Sequence, residues 1–353
     1  MTYEEARALF PVLERVAYFN AGTFGPLSRP TMEAVAEQQR RDLEHGRIGS
    51  AYVERAMALR GDLRSSIAEL VSAEPAQVAL TASTTDGCNI VLARLGLTPA
   101  DEVVTTAEEH FGLLGPLHVS RARVVVVRPD PDAILAAITP RTKLVAVSQV
   151  LWTTGQILPV RELRERSGVP ILVDGAQSVG AIAVDARDLD FLTISGQKWL
   201  CGPDATGALV VAEPDRLRVA RPGYLAQASY EPDGAFVPRD GAQRFEPNWI
   251  PTSSLAGLLA ALAQAPDWCH ERAYALAERL RDQLATVAEV VTPATRATLV
   301  AFRPPVRSAA ETVAELADAG VLVREIPRTG LVRASVGWWS NEDDLDRLVA
   351  GLA

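Results

Sequence analysis

The sequence is poor in the residues that build disulfide frameworks and metal sites. It has only three cysteines, Cys88, Cys201 and Cys269, an odd number without CxxC spacing. This pattern favours reduced thiols over disulfides or a zinc site. The four histidines form no HxxxH or HExxH pair, so no metal-ligand set is visible in the sequence and we expect no metal.

A long apolar run and an excess of basic charge are also missing. No stretch reaches the roughly 18 apolar residues of a membrane span, and the N-terminal segment is acidic and amphipathic, unlike an export signal. The formal net charge of -9 disfavours a nucleic-acid surface, which needs clustered lysine and arginine. We therefore expect a cytoplasmic protein with neither a membrane nor a nucleic-acid partner.

The sequence does contain enough apolar residues for a large core. The chain of 353 residues is 48% hydrophobic and 22% charged, which predicts a globular protein with one large domain and one smaller domain. We place the large domain at 18–252 and the small one at 1–17 together with 253–353. The segment 221–252 carries five prolines and three glycines, which predicts a loop-rich crossing near a site or an interface.

Short β-rich runs recur between residues 78 and 212, with helical patterns or turns between them. Several lack the alternation of a half-exposed strand, which indicates burial on both faces in a parallel or mostly parallel sheet covered by helices. The tail 307–353 alternates helix, strand, strand and helix, which suits a small α+β domain. The seven runs are 78–81, 102–106, 123–127, 144–148, 170–174, 191–195 and 207–212, and helical patterns span 29–45, 51–71 and 253–265.

Polar residues stand directly after several of these apolar runs. In an open α/β sheet the ligand binds outside the carboxyl ends of the strands, so these residues are the site candidates. Asp174 ends one of these runs. A lone aspartate at such a position more often belongs to a turn or caps a helix. The functional alternative is a carboxylate that holds a proton on the ring nitrogen of pyridoxal phosphate. The segments concerned are 81–87, 108–112, 173–178 and 195–199.

Lys198 follows the next run along the chain. A lysine in a loop is ordinarily a solvated surface charge, but this one lies between Ser195 and Trp199 with apolar runs on both sides. A partly desolvated lysine loses its proton more easily and can serve as the covalent partner of a carbonyl and as a proton carrier. The hydroxyls of 81–87 could cradle a phosphate or merely cap a helix, and His110 could stack on a cofactor or be structural.

A resemblance to a known family rests on several motifs in this order. They are ASTTDGCNIVL, EEHFG, SQVLWTTGQILPV, LVDGAQSVG, DFLTISGQKWLCGPDATGALVV, RFEP and LVRASVGWWSNEDDLDRLV. Together they resemble the class V aminotransferase superfamily of fold-type I pyridoxal-phosphate enzymes, most closely its L-cysteine/cystine C–S lyases. The resemblance implies a mostly parallel seven-stranded sheet sandwiched by helices, a small α+β C-terminal domain, pyridoxal 5'-phosphate as cofactor, and a homodimer.

The resemblance also assigns roles to individual positions. Lys198 would bind the cofactor covalently, Asp174 would pair with the pyridine nitrogen, and His110 would stack on the ring. Arg324 is the weaker of two substrate arginines, because a surface charge explains it as well. The other assignments are Gln177 for the ring hydroxyl, Thr84, Thr85, Ser195 and Gln197 for the phosphate, Arg333 and Arg324 for the substrate carboxylate, and Ala21 and Gly22 of the loop 20–25 for the substrate pocket.

Three family positions depart from the pattern. Gln197 stands where many relatives carry histidine, although its amide can still donate to a phosphate oxygen, and Trp152 stands where many desulfurases carry the asparagine that would contact the ring hydroxyl. The threonine that reaches the partner subunit's phosphate in the family aligns here with Trp249, and Thr252 or Ser253 would take its place.

The reaction is predicted from a missing nucleophile. Cysteine desulfurases need a mobile cysteine thiolate, and the segment 324–335, where it should lie, contains no cysteine. We therefore expect β-elimination from cysteine, cystine or a cysteine S-conjugate, giving pyruvate, ammonia and a thiol or persulfide. Transamination or epimerisation of another amino acid remains an alternative, and so does a non-catalytic binding function. A nucleotide-binding oxidoreductase is disfavoured, because no GxGxxG motif follows any of the apolar strand segments.

Overall fold

A seven-stranded sheet forms the centre of the computed structural model, which describes residues 1–246 and 249–352. Its strand order is β2-β8-β7-β6-β5-β3-β4, and only β8 runs antiparallel to its neighbours. The strands of the chain are β1 (Ala17–Tyr18), β2 (Val78–Thr81), β3 (Glu102–Thr106), β4 (Arg123–Val127), β5 (Thr142–Ser148), β6 (Ile171–Asp174), β7 (Phe191–Ser195), β8 (Gly207–Val211), β9 (Gln227–Tyr230), β10 (Phe236–Pro238), β11 (Glu289–Val290), β12 (Leu299–Arg303), β13 (Val321–Leu322), β14 (Arg324–Ile326) and β15 (Leu331–Ser335).

Helices cover both faces of this sheet. Helices α3, α7 and α8 pack in one apolar cluster, and α4 and α5 pack in another on the opposite face. The helices are α1 (Tyr3–Ala8), α2 (Arg29–His45), α3 (Gly49–Leu70), α4 (Thr84–Arg94), α5 (Phe111–Val119), α6 (Pro131–Ala136), α7 (Val160–Ser167), α8 (Thr252–Leu262), α9 (Cys269–Leu284), α10 (Ala309–Asp318) and α11 (Glu342–Ala350). No helix of the described ranges is both long and apolar enough to cross a membrane.

The continuous apolar runs of the sequence form the buried strands of the sheet. Every residue of β2, β3, β6, β7 and β8 is buried, which is the pattern of strands covered by helices on both faces. The predicted mostly parallel α/β sheet is therefore confirmed. The segment 221–252 contains more order than expected, because β9 and β10 form a short antiparallel hairpin within it.

A second sheet is formed by the C-terminal part of the chain. It is antiparallel, with the order β11-β12-β15-β14, and it buries Phe302 and Val332 against α9, α10 and α11. The N-terminal segment joins this sheet, since β1 pairs with β13 and Ser335 N–H donates to the carbonyl of Phe19 at 2.8 Å. This pairing brings residues 20–25 to the edge of the large sheet.

The predicted domain boundary at 252/253 stays a prediction. Helix α8, which begins at that boundary, contributes Leu255 and Leu258 to the larger apolar core. Pro247, the last residue of the RFEP motif, lies outside the described residues.

A buried ion cluster fixes the chain just before that boundary. The Glu246 carboxylate accepts hydrogen bonds from Arg60 Nε at 3.1 Å, from Arg64 Nε at 3.0 Å and from Leu80 N–H at 3.1 Å. All three charged side chains are at most 9% exposed. The cluster therefore ties α3 and β2 to the segment that leads into α8.

We expect Glu246→Gln to destabilise the protein by about 3–5 kcal/mol, because the change leaves two buried guanidiniums without a counter-charge. Urea unfolding followed by circular dichroism measures the difference. The matched control is Glu37→Gln, an exposed partner of Arg40 in α2, which should leave the midpoint unchanged. A Glu246→Gln curve that overlays the wild-type curve would contradict the role of the cluster.

Candidate active site

The candidate site lies at the carboxyl ends of β5, β6 and β7. The register places Ser148 of β5 beside Asp174 of β6, and Asp174 beside Thr193 of β7. Lys198 follows β7 directly. Neighbouring strands therefore deliver the predicted acid and the predicted lysine to one edge of the sheet.

Lys198 sits in a tightly packed turn. Cys201 N–H donates to its carbonyl at 3.0 Å, and a Cβ at Gly25 would come within 2.1 Å of the same oxygen, so only glycine fits there. Burial, together with the smaller effects of Arg333 and Arg324, lowers the pKa of the Lys198 amine to about 8, and Asp174 opposes this shift. Lys198 is one of only two lysines in the sequence, and the other, Lys143, is exposed on β5.

A cavity of about 180 Å³ opens beside this lysine. It unites predicted residues from distant parts of the chain, including two further members of the predicted pocket loop 20–25, with Trp152, to which the sequence reasoning assigned no binding role. Thr23 and Phe24 follow the predicted Gly22, and Trp152 comes shortly after β5. The lining residues are Gly22, Thr23, Phe24, His110, Trp152, Gln177, Lys198, Arg324 and Arg333.

Two arginines face this cavity without a carboxylate partner among the described residues. Arg333 is fully buried, its Nη1 donates to the carbonyl of Trp152 at 2.8 Å, and its Nε and Nη2 have no hydrogen-bond partner. Burial, with a contribution from Arg324, lowers the pKa of the Arg333 guanidinium. Arg324 donates to Thr23 Oγ1 at 2.8 Å and is half-buried, so it is not the surface charge that was equally possible from the sequence.

His110 begins helix α5. Its Nδ1 accepts the N–H of Gly112 at 3.0 Å, which places the proton of the neutral ring on Nε2. Burial, with Lys198 as the next contribution, lowers the pKa of the ring and favours that neutral form. The indole ring of Trp152 stands edge-on to the imidazole, with centroids 5.1 Å apart.

Glu109 anchors the turn that carries His110, a role that the sequence reasoning missed. Its carboxyl group is buried and accepts hydrogen bonds from Thr106 Oγ1 at 2.7 Å and from Ser148 N–H at 3.0 Å. Burial raises the pKa of Glu109 to about 7, and Asp174 adds to the rise. The residue therefore links the ends of β3 and β5 behind the cavity.

Asp174 and Gln177 line up along the turn after β6. Asp174 is buried, and its Oδ1 accepts the N–H of Ala176 at 2.9 Å. The amide of Gln177 donates to the carbonyl of Gly22 at 2.8 Å and accepts from Trp199 Nε1 at 2.9 Å. A role of Gln177 toward a ring hydroxyl stays a prediction.

The phosphate candidates surround the start of α4. Ser83 caps this helix, so Thr84 and Thr85 supply first-turn N–H groups that have no partner inside the helix. A Cβ at Gly112 would lie 2.7 Å from Thr85 Oγ1 and 3.2 Å from His110 Nδ1, which shows how closely the two helix starts approach.

Strand β8 brings the other phosphate candidates to the same place. Gly207 pairs with both Ser195 and Thr81, and a Cβ on it would lie 3.3 Å from the backbone nitrogen of Ser83. Ser195 Oγ in turn donates to Gln197 Oε1 at 2.8 Å. Hydroxyls, an amide and helix N–H groups therefore converge, which is an arrangement suited to a phosphate.

Apart from Asp174 and the phosphate candidates, two further predicted site residues do not line this cavity. Ala21 is fully buried in an apolar cluster with Phe10 and Trp199. Thr252 is the first residue of α8, and its Oγ1 donates a hydrogen bond to Asp42 Oδ2 at 3.3 Å. Its contact with a partner subunit's cofactor stays a prediction.

All three cysteines are buried and free. Burial raises the pKa of each thiol, that of Cys88 well above its ordinary value. None of them lies in the segment 324–335, which forms β14, a turn and β15.

Comparisons with known proteins agree with this geometry. A family model described as aminotransferase class-V matches residues 18–348. Isopenicillin N epimerase of Streptomyces clavuligerus is 30% identical over 99% of this chain and 97% of that protein. A cysteine desulfurase of Dickeya dadantii is 29% identical over 84% of this chain and 81% of its own length.

Two solved structures extend the similarity to the fold. A mutant of C-DES with glycine covalently linked to its PLP cofactor has a TM-score of 0.92, 27% identity and 98% coverage of both chains. The cystine C–S lyase C-DES in complex with its reaction product, cysteine persulfide, has a TM-score of 0.91 and 26% identity, with 97% of this chain and 98% of that chain covered. The resemblance and the fold class predicted from the sequence are confirmed.

We expect the Lys198 amine of the cofactor-free protein to titrate near pH 8, below the value of about 10.4 for an ordinary lysine. Competitive acetylation across pH 6 to 11, read by mass spectrometry of the Lys198 peptide, measures the midpoint. Asp174→Asn should move it lower still, because Asp174 raises this pKa. A midpoint at pH 10 or above would show that the lysine is solvated.

Proposed function

The chain belongs to the class-V aminotransferase family, with pyridoxal 5'-phosphate as its cofactor, and we propose that it is a C–S lyase. The substrate is cysteine, cystine or a cysteine S-conjugate. The Cα–H and Cβ–S bonds break, water is consumed, and the products are pyruvate, ammonia and a thiol, or a persulfide when cystine reacts.

The residues present fit the cofactor at each of its functional groups. Lys198 offers a weakly basic amine for the aldehyde, Asp174 a buried carboxylate for the ring nitrogen, and His110 a neutral imidazole for the ring face. The start of α4 offers N–H groups and hydroxyls for the phosphate. When bound, pyridoxal phosphate supplies an electron-withdrawing ring that stabilises negative charge at the substrate Cα.

Lys198 is the residue that moves the proton. Its pKa of about 8 leaves a usable fraction of neutral amine near neutral pH, so it can accept the proton of the substrate Cα. Asp174 would hold the proton on the ring nitrogen of the bound cofactor. His110 in its neutral form adds no further positive charge beside Lys198.

Arg333 binds the substrate α-carboxylate in this proposal. Its unpaired Nε and Nη2 form one edge of the guanidinium, which matches the two oxygens of a carboxylate. Arg324 offers a second cation in the same cavity, suited to the distal carboxylate of cystine. Both arginines lack a protein counter-ion in the described chain, so an anionic substrate completes the site.

The state of the cysteines is the observation that carries the choice of reaction. A desulfurase attacks the substrate sulfur with a thiolate, but all three thiols are buried with raised pKa values. Without that nucleophile, loss of the sulfur group from Cβ is the simplest fate of negative charge at Cα. The similarity to C-DES, a cystine C–S lyase, supports the same conclusion.

Epimerisation of an amino acid is the second candidate function. Its support is the 30% identity to isopenicillin N epimerase over nearly the whole of both chains. This reaction also begins with loss of the Cα proton, but the proton returns and no bond at Cβ breaks. Transamination would instead leave the cofactor in its amine form.

We also propose a homodimer in which Thr252 reaches the partner's cofactor site. Thr252 and the neighbouring Trp249, which is 42% exposed and packs at 6.2 Å from Tyr52, line a surface groove away from Lys198 of the same chain. Thr252 itself is only 5% exposed, so a partner subunit would reach it through this groove, beside the exposed Trp249.

We expect the cofactor-loaded protein to release pyruvate from L-cystine or L-cysteine, because β-elimination ends in this keto acid. A lactate dehydrogenase assay measures pyruvate, and Lys198→Ala should lower the rate at least about 100-fold. An epimerase would instead exchange the Cα proton for deuterium without forming pyruvate. Absence of pyruvate from every sulfur amino acid tested would refute the lyase proposal.

We expect borohydride reduction of the loaded protein to fix the cofactor on Lys198 alone. The chain has only two lysines, so peptide mass mapping distinguishes Lys198 from Lys143 without ambiguity. Lys143→Arg should leave the adduct unchanged, and Lys198→Arg should abolish it. An adduct on Lys143 in the wild type would overturn the assignment.

A further inference from the structure

The cavity presents more hydrogen-bond donors than the cofactor assignment uses. Arg333 Nε and Nη2 have no partner, and neither has the indole Nε1 of Trp152, which is buried. A buried N–H group without an acceptor is unfavourable, and where its residue lines a cavity, a ligand bound there can supply the acceptor. Trp152 lines the cavity and was not assigned a binding role above.

The backbone of Trp152 lies against the guanidinium of Arg333. Its carbonyl accepts from Arg333 Nη1 at 2.8 Å, which aims the opposite edge of the guanidinium away from this peptide. The next residue, Thr153, donates its hydroxyl to Glu108, so the segment after β5 is fixed on both sides. Trp152 is therefore held at the arginine that binds the substrate carboxylate.

The indole ring also has a defined orientation. It stands at 84° to the imidazole of His110, with 5.1 Å between centroids. The ring thus lies beside the residue expected on the cofactor face, while the backbone carbonyl of Trp152 holds the carboxylate arginine. A cavity wall alone would be served equally well by phenylalanine, which has no N–H group to leave unpaired.

We propose that Trp152 is a substrate-binding residue whose indole N–H donates a hydrogen bond to the α-carboxylate held by Arg333. The carboxylate then receives donors from two side chains, a charged one and a neutral one, and its oxygens are fixed relative to His110. The inference rests on the site binding an amino acid, and it does not depend on β-elimination.

The test measures glycine binding to the cofactor-loaded protein by the change in cofactor absorbance. Glycine has no group at Cβ, so the result is independent of the proposed lyase reaction. Trp152→Phe keeps a ring and removes the N–H, and we expect its dissociation constant for glycine to rise about tenfold or more. Ethylamine, which lacks the carboxylate, should bind wild type and variant equally.

Two further proteins complete the experiment. If Trp152→Phe loses the cofactor, 3-benzothienylalanine at position 152 takes its place, because this residue keeps the shape of the indole and exchanges the N–H for sulfur. We expect the same rise in the dissociation constant for glycine. Trp268→Phe is the matched control, since its indole donates to the Met1 carbonyl far from the cavity. Glycine affinity within twofold of wild type, or an equal loss for glycine and ethylamine, would overturn the proposal.

Discussion

Uncompensated positive charge in a small cavity is the constraint on which the site depends. Lys198, Arg324 and Arg333 share about 180 Å³, and neither arginine forms an ion pair within the described chain. Burial lowers the pKa of Lys198 and that of Arg333, and the positive charge of Arg324 adds to both effects. The result is a lysine that gives up its proton readily beside cations that attract a carboxylate. Asp174 limits this effect and keeps the lysine within a useful range.

The fold builds this arrangement from segments that are far apart in sequence. Parallel strands bring Asp174 and Lys198 to one edge, while β15 of the second sheet delivers Arg333. The N-terminal loop closes the cavity by pairing with the second sheet, and it approaches so closely that a Cβ at Gly22 would lie 2.6 Å from Arg333 Nη2. Both sheets must therefore be correctly placed before the cavity exists.

The sequence predicts the central sheet well, because strands that are buried on both faces consist of continuous runs of apolar residues. It also indicates Asp174, Lys198 and His110, since each follows such a run directly. It says less about β9 and β10, whose residues are largely exposed and carry no apolar pattern. For the segment that forms this hairpin, the sequence predicts only a loop-rich crossing.

Long-range contacts explain the remaining differences at the site. The sequence around Arg324 is typical of a surface charge, and only the contact between β14 and the loop 20–25 shows that its guanidinium faces the cavity. Trp152 and Glu109 lie within recognised motifs, yet only the packing of β5 against β3 and the contact with Arg333 reveal what they touch. Ala21 belongs to a predicted pocket loop, but its methyl group points into the apolar core that supports the loop.

The burial of Cys88, Cys201 and Cys269 has a consequence for the protein's own chemical durability. A persulfide transfers its outer sulfur to an accessible thiolate, which becomes a persulfide while a thiol is released, and reactivity of this kind follows exposure and a low pKa. An enzyme that released a persulfide, as proposed for this chain, would expose its own accessible thiols to this transfer. All three thiols are buried and have raised pKa values, so they would be protected from such a product.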